Sequence, residues 1–228
     1  GPEPQEFRGD STEAAKLESI ERNFSAERGN VTTAQVVVRD DDVLDRETLL
    51  ATLELQRELR QNRTVNRTLA DERPTVGLAN VLARAVIRHR DPDVTDPTLD
   101  EQIAALESVS DAEVERAVAL LLREGRSGSA SEAFLFVPDG YEPGNASANA
   151  TTVLVFHAQD GPAVSGQAPD RIVAAQTAMA SLAADSGAGR EAFVVGNGVV
   201  TAEQEQARRD SMRLVGPLAL LFVLVALA

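Results

Sequence analysis

VTTAQVVVRD, residues 31–40, followed by DDVLDRETLLATLELQREL, residues 41–59, decides the fold class of this chain. The first stretch is rich in β-branched residues, whose stiff side chains suit a pleated strand, and the run Asp40-Asp41-Asp42 stops it. The period then changes. Asp45 is placed to cap a helix that carries Leu49, Leu53 and Leu59 and fades in NRTVNRT, residues 62–68. A strand that feeds directly into an amphipathic helix is the opening half of an α+β unit.

Upstream, Gly1–Asp10 reads as a linker, and Ser11 can cap a helix reaching Phe24 with Ala15, Leu17, Ile20 and Phe24 as its apolar positions. Downstream, Val76–His89 is apolar on most of a helical circumference. Pro97 sits at a helix start, and Ser110 with Glu113 forms a capping box before EVERAVALLLRE. Gly125–Ser131 breaks this helical run. EAFLFVP, residues 132–138, and TTVLVFHA, residues 151–158, read as two strands of a hairpin joined by a long Gly/Pro/Asn-rich loop. Asp170–Asp185 is an amphipathic helix around Ile172, Ala175, Met179 and Leu182, and AFVVG, residues 192–196, is a last strand. The predicted order is β, α, helical insert at about 75–124, β, β, α, β. This is the ferredoxin-like split βαβ order, an antiparallel sheet backed by helices on one face.

The chain ends differently. TAEQEQARRDSMR, residues 201–213, starts with a Thr201/Gln204 capping box and runs without a break into LVGPLALLFVLVALA, residues 214–228. Those 15 residues reach about 22 Å as a helix, against a hydrocarbon core of about 30 Å. A run of this length also suits a buried core helix. The absence of any polar stripe after Arg213 favours the start of a transmembrane helix that continues past Ala228, with Leu214, Gly216 and Pro217 at the point where it meets the membrane. Residues 11–213 then form an extracytoplasmic domain.

Composition bears on the surroundings of that domain. The 36 acidic and 22 basic residues give a net charge of −14, and Lys16 is the sole lysine. An acidic, arginine-for-lysine surface suits solvation at high salt and reads as halophilic. It offers no basic patch to replace phosphate counterions, which argues against nucleic acid. With no cysteine there is no disulfide, thiolate metal site or thiol nucleophile. Six of the eight asparagines, Asn23, Asn30, Asn62, Asn66, Asn145 and Asn149, open N-x-S/T sequons, a density that points to a glycosylated face outside the membrane.

Catalytic motifs are missing from the sequence. The two histidines, His89 in RHRD and His157 inside a predicted strand, have no partner at metal-ligand spacing. Asp40–Asp42 lacks the D-x-D-x-D-G spacing of a calcium loop and reads as a solvated turn. No G-x-S-x-G elbow presents a serine to His157, and VVGNGVV lacks the third glycine of a dinucleotide loop, leaving a strand-to-helix turn as its plainer role. The chain reads as non-enzymatic, without cofactor or metal.

The helix STEAAKLESIERNF, the strand VTTAQVVVRDDD and the helix RETLLATLELQREL, closed by AFVVGNG and the run TAEQEQARRDSMRLVGPLALLFVLVALA, resemble the first large external loop of an RND-superfamily exporter of the MMPL-like branch. The resemblance spans essentially the whole chain and rests on element order and the Gly196-to-membrane junction, with no catalytic motif. It implies a porter domain between the first and second membrane helices. That domain would work beside a second porter loop of the same protein and the lipid bilayer, exporting hydrophobic or amphiphilic cargo on an ion gradient. The ionisable residues of coupling would lie in later helices. The resemblance also suggests an apolar path wall around Val76–Val86. Two other readings stay open: a SecD- or SecF-like protein-translocation accessory, and a tail-anchored cell-surface binding protein.

Overall fold

The computed structural model describes residues 31–123, 132–138, 140–158, 169–185 and 190–196. Its elements run β1 (Val31–Arg39), α1 (Arg46–Gln61), α2 (Arg63–Asn66), β2 (Thr75–Gly77), α3 (Leu78–Arg90), α4 (Leu99–Glu107), α5 (Asp111–Leu121), a 3₁₀ turn (Phe134–Phe136), β3 (Ala150–Ala158), α6 (Asp170–Asp185) and β4 (Glu191–Val195). The four strands form one α+β sheet in the order β2-β3-β1-β4, with every neighbouring pair antiparallel. β1 lies inside, paired along its full length with β3, from Val31↔Ala158 to Arg39↔Ala150, and over Gln35–Arg39 with β4.

Alternation along β1 sets the layers. Ala34, Val36 and Val38 are buried on one face, and cross-strand register puts Val153, Val155 and Val194 beside them. Leu55 and Leu59 of α1, Val65 of α2, and Met179 and Ala183 of α6 cover this face. On the other face Val76, Leu154 and Phe156 join a second cluster with Leu78, Leu82, Ile103, Leu106, Val118 and Phe136. β3 is therefore buried on both sides, whereas β1 is sealed on one. α1 serves both clusters through two leucine stripes, Leu49/Leu53 and Leu55/Leu59. Asp45 caps it as expected, its Oδ1 accepting from Thr48 N at 2.6 Å.

Two expectations are corrected. Glu132–Pro138 is not a strand: Phe134–Phe136 is a 3₁₀ turn that buries Phe136 fully. Phe136 O accepts from the Thr151 hydroxyl at 2.9 Å, so the segment closes over the start of β3 instead of pairing along it. The strand beside β3 is Thr75–Gly77, which the sequence reading gave to the helical region. Three residues are too few to show a period of two, and Val76 continues the apolar pattern of α3. The helices between β2 and β3 accordingly begin at Leu78.

Those helices are tied to the sheet by buried amides. Gln56 of α1 and Asn80 of α3 exchange two hydrogen bonds, Gln56 Nε2 to Asn80 Oδ1 and Asn80 Nδ2 to Gln56 Oε1, both 3.0 Å. Asn80 Nδ2 also donates to Gln102 Oε1 of α4 at 2.9 Å, and Gln102 Nε2 donates to Pro97 O at 2.9 Å. Asn80 Oδ1 takes the Gly77 N–H at 2.7 Å, which caps α3 from within and fixes the end of β2. All three side chains are at most 3% exposed, and each polar atom named finds a partner, which is the condition for a buried polar network to stabilise.

Arg190, just before β4, closes the far end of this arrangement. Its Nε lies 2.9 Å from Asp40 Oδ2 and its Nη2 donates to Glu47 Oε1 at 2.8 Å, joining β4 to the end of β1 and the start of α1.

Replacing Asn80 by Ala strands the Gly77 N–H, the Gln56 amide and Gln102 Oε1 in the core. The expected loss is about 3–5 kcal/mol of unfolding free energy in urea titration. A loss below about 1 kcal/mol would show that the network does not hold the helical layer.

Candidate functional site

The first and last of the described strands are antiparallel, so the start of β1 and the finish of β4 point towards one end of the sheet. β1 starts at Val31, opposite Ala158, and β4, running the other way, finishes at Val195 opposite Gln35. The same end carries Thr68, Leu69 and His157: Ala158 N donates to Thr68 O at 2.8 Å, and Leu69 forms an antiparallel bridge with His157. At the opposite end Arg39 faces Ala150 on one side and Glu191 on the other. The Asp40–Asp42 turn, Arg190 and residues 140–149 gather there, with Val43 N donating to Ala148 O at 2.7 Å.

His157 is fully buried. The Thr68 hydroxyl donates to Val65 O at 2.8 Å, so it accepts from His157 Nδ1–H at 2.9 Å, which fixes the neutral tautomer with a bare Nε2. Nε2 has no hydrogen-bond partner among the described residues. Protonation there would place a charge and an unpaired N–H in the core, and burial pushes the imidazole down to about 4. Among the described residues the ring's one hydrogen-bond partner is the Thr68 hydroxyl.

Of the six sequon asparagines, Asn66, Asn145 and Asn149 are exposed and Asn62 is half-buried. Asn62 links α1 to α2, its Oδ1 accepting from Thr64 N at 3.0 Å and Val65 N at 3.2 Å. Asn66 stands at the end where β1 begins, and Asn149, with the loop that carries Asn145, at the opposite end. Asn23 and Asn30 lie outside the described residues, as do the helix expected at 11–24 and Leu214, Gly216 and Pro217. Among the described residues no helix is long and apolar enough to cross a membrane.

The remaining candidates are occupied structurally. Val76, Val81, Leu82 and Ala83, expected along a cargo path, are core. In the acidic turn Asp40 pairs with Arg190, and Asp42 Oδ1 accepts from Leu44 N at 3.0 Å and Ala148 N at 3.3 Å. Among the described residues no group of three or more His, Cys, Asp or Glu side chains could hold a metal ion. Gly196, at the end of β4, has a close-approach role: a Cβ there would stand 2.5 Å from Oε1 of the buried Gln176. No protein-family model, curated protein or solved structure matches the chain.

His157 makes stability depend on pH with a definite sign. The folded state holds its proton less tightly, about 4 against 6.5. The histidine's contribution is therefore complete above 6.5 and is lost as pH falls towards 4. Urea titrations at pH 7 and pH 5 should differ by about 2 kcal/mol from this residue alone. His157→Gln should remove that difference, and an unchanged pH slope in the variant would assign the dependence elsewhere.

Proposed function

We propose that this chain is the extracytoplasmic porter domain of an ion-gradient-driven RND-type exporter of hydrophobic or amphiphilic compounds, held in a cell membrane through flanking helices. The observation that carries the reading is strand direction: β4 runs antiparallel to β1, so its C-terminus, opposite Gln35, points back towards the end at which β1 begins. A domain inserted between two membrane helices must return to the surface it left, and a central first strand with an antiparallel last strand beside it meets that requirement.

Element order supports the same reading. β1-α1-β2 and β3-α6-β4 are two strand–helix–strand units, and the sheet order β2-β3-β1-β4 interleaves them. α1 and α6 lie over the face bearing Ala34, Val36 and Val38. We take this as a ferredoxin-like split βαβ arrangement with α3–α5 inserted between its halves. In this reading the domain does no covalent chemistry. It guides cargo together with a second porter loop of the same polypeptide, while ion coupling resides in membrane helices. Residues 214–228 are read as the first turns of the returning helix.

Immunoblots of native membranes with an antibody against residues 31–196, combined with protease protection, test the proposal. The expected result is a multi-spanning protein several times heavier than the 24.3 kDa of this chain, cleaved within this domain from outside the cell. Peptide mapping should find a second, similar external domain. A large protein with a single such domain would favour a SecD- or SecF-like accessory, and a band near 24.3 kDa would leave a tail-anchored surface protein.

A further inference from the structure

The sequons differ in what the fold does with their hydroxyls. An N-oligosaccharyltransferase must grip the Ser or Thr two residues after the acceptor asparagine as well as the asparagine itself. In Asn145-Ala146-Ser147 all three residues are exposed. The loop is held by its backbone, with Asn145 N donating to Glu142 O at 3.0 Å and the Tyr141 hydroxyl donating to Asn145 O at 2.6 Å. The carboxamide of Asn145 and the hydroxyl of Ser147 have no partner among the described residues.

Asn66 and Asn149 are exposed in the same way, but their hydroxyls are not. Thr68 is 3% exposed, and its hydroxyl is engaged by both Val65 O and His157 Nδ1. Thr151 is 2% exposed, sits in β3 opposite Val38, and donates to Phe136 O at 2.9 Å. Gripping either threonine requires pulling apart the 65–68 turn or the start of β3.

We infer that, of these three sequons, Asn145 is the one that accepts glycan in the folded state, and that Asn66 and Asn149 accept glycan only before their threonines are buried. The donor is an oligosaccharide linked to a lipid phosphate. Asn145 Nδ2 bonds the sugar C1 and gives up a proton, while the C1–O bond breaks with its electron pair leaving on the lipid phosphate. Any glycan at Asn66 or Asn149 then records modification during chain emergence, and glycan at Asn145 does not. In the cell this rests on the extracytoplasmic reading; the order of accessibility does not.

The test uses the full unglycosylated chain in detergent, native or unfolded in urea and diluted immediately before use. Each sample is incubated with a relaxed-specificity N-oligosaccharyltransferase and its lipid-linked oligosaccharide, and initial rates at each site are read by glycopeptide mass spectrometry. The native-to-unfolded rate ratio should be near one at Asn145 and at least about tenfold lower at Asn66 and Asn149, because burial must first open locally. Ser147→Ala should abolish modification at Asn145 while leaving thermal stability unchanged. Equal ratios at the three sites, or a low ratio at Asn145, would overturn the inference. Glycopeptide mapping of the protein from native membranes asks the separate question of location: no glycan there would count against the extracytoplasmic reading and leave the rate ratios standing.

Discussion

Everything in this domain is arranged around β1. It is the one strand paired along its whole length with β3 and along its second half with β4. Its face of Ala34, Val36 and Val38 is the surface on which α1 and α6 settle. Burial of that face specifies register, since a slip of one residue would turn the three side chains towards the other face and bring up Thr33, Gln35 and Val37. Because β4 runs antiparallel to β1, its C-terminus points towards the end at which β1 begins, although their pairing stops at Gln35, the middle of β1. The functional proposal rests on that strand direction.

A second constraint joins the helical layer to that sheet. Asn80 answers to α1, α4 and the end of β2 at once, so the positions of α3 and α4 are set by directional bonds as well as by leucines. Apolar packing alone tolerates sliding between helices, whereas a fully paired amide cluster has one arrangement in which all its donors and acceptors are met. Arg46 adds to this by donating to the last carbonyls of α4, Leu106 O and Glu107 O, both at 2.9 Å. The inserted helices are thus held to the α1 side of the fold by side chains reaching across sequence.

Local signals in the sequence carried much of this. The β-branched run of β1, the Asp45 cap and leucine spacing of α1, the Glu113 carboxylate bonded to the Ser110 N–H and hydroxyl, and the amphipathic α6 are all short-range patterns. What stayed hidden depends on partners far along the chain. Thr75–Gly77 is a strand because Leu154 and its neighbours lie beside it, and nothing in three residues announces that. Phe134–Phe136 looked extended because aromatic and branched residues favour strands, yet the site it fills is a cap over β3. Asn80 drew no notice in the sequence, because its partners Gln56 and Gln102 lie 24 and 22 residues away. The sequons were legible as strings, but the burial of Thr68 and Thr151 that separates them arises from tertiary contacts.

The central claim of the proposal is one of orientation: the end with Val31 and Asn66 would face the bilayer, and the end with Asn145 would point away from it. β3 connects the two ends, and its nine residues span about 30 Å. The absence of cysteine allows a single fluorophore to be attached at Arg67→Cys or at Ala146→Cys, both exposed positions. The most direct measurement is fluorescence quenching of each label by a headgroup-attached quencher, with the full chain reconstituted in vesicles. The account predicts strong quenching at position 67 and little at position 146. Stronger quenching at position 146, or none at either, would contradict it.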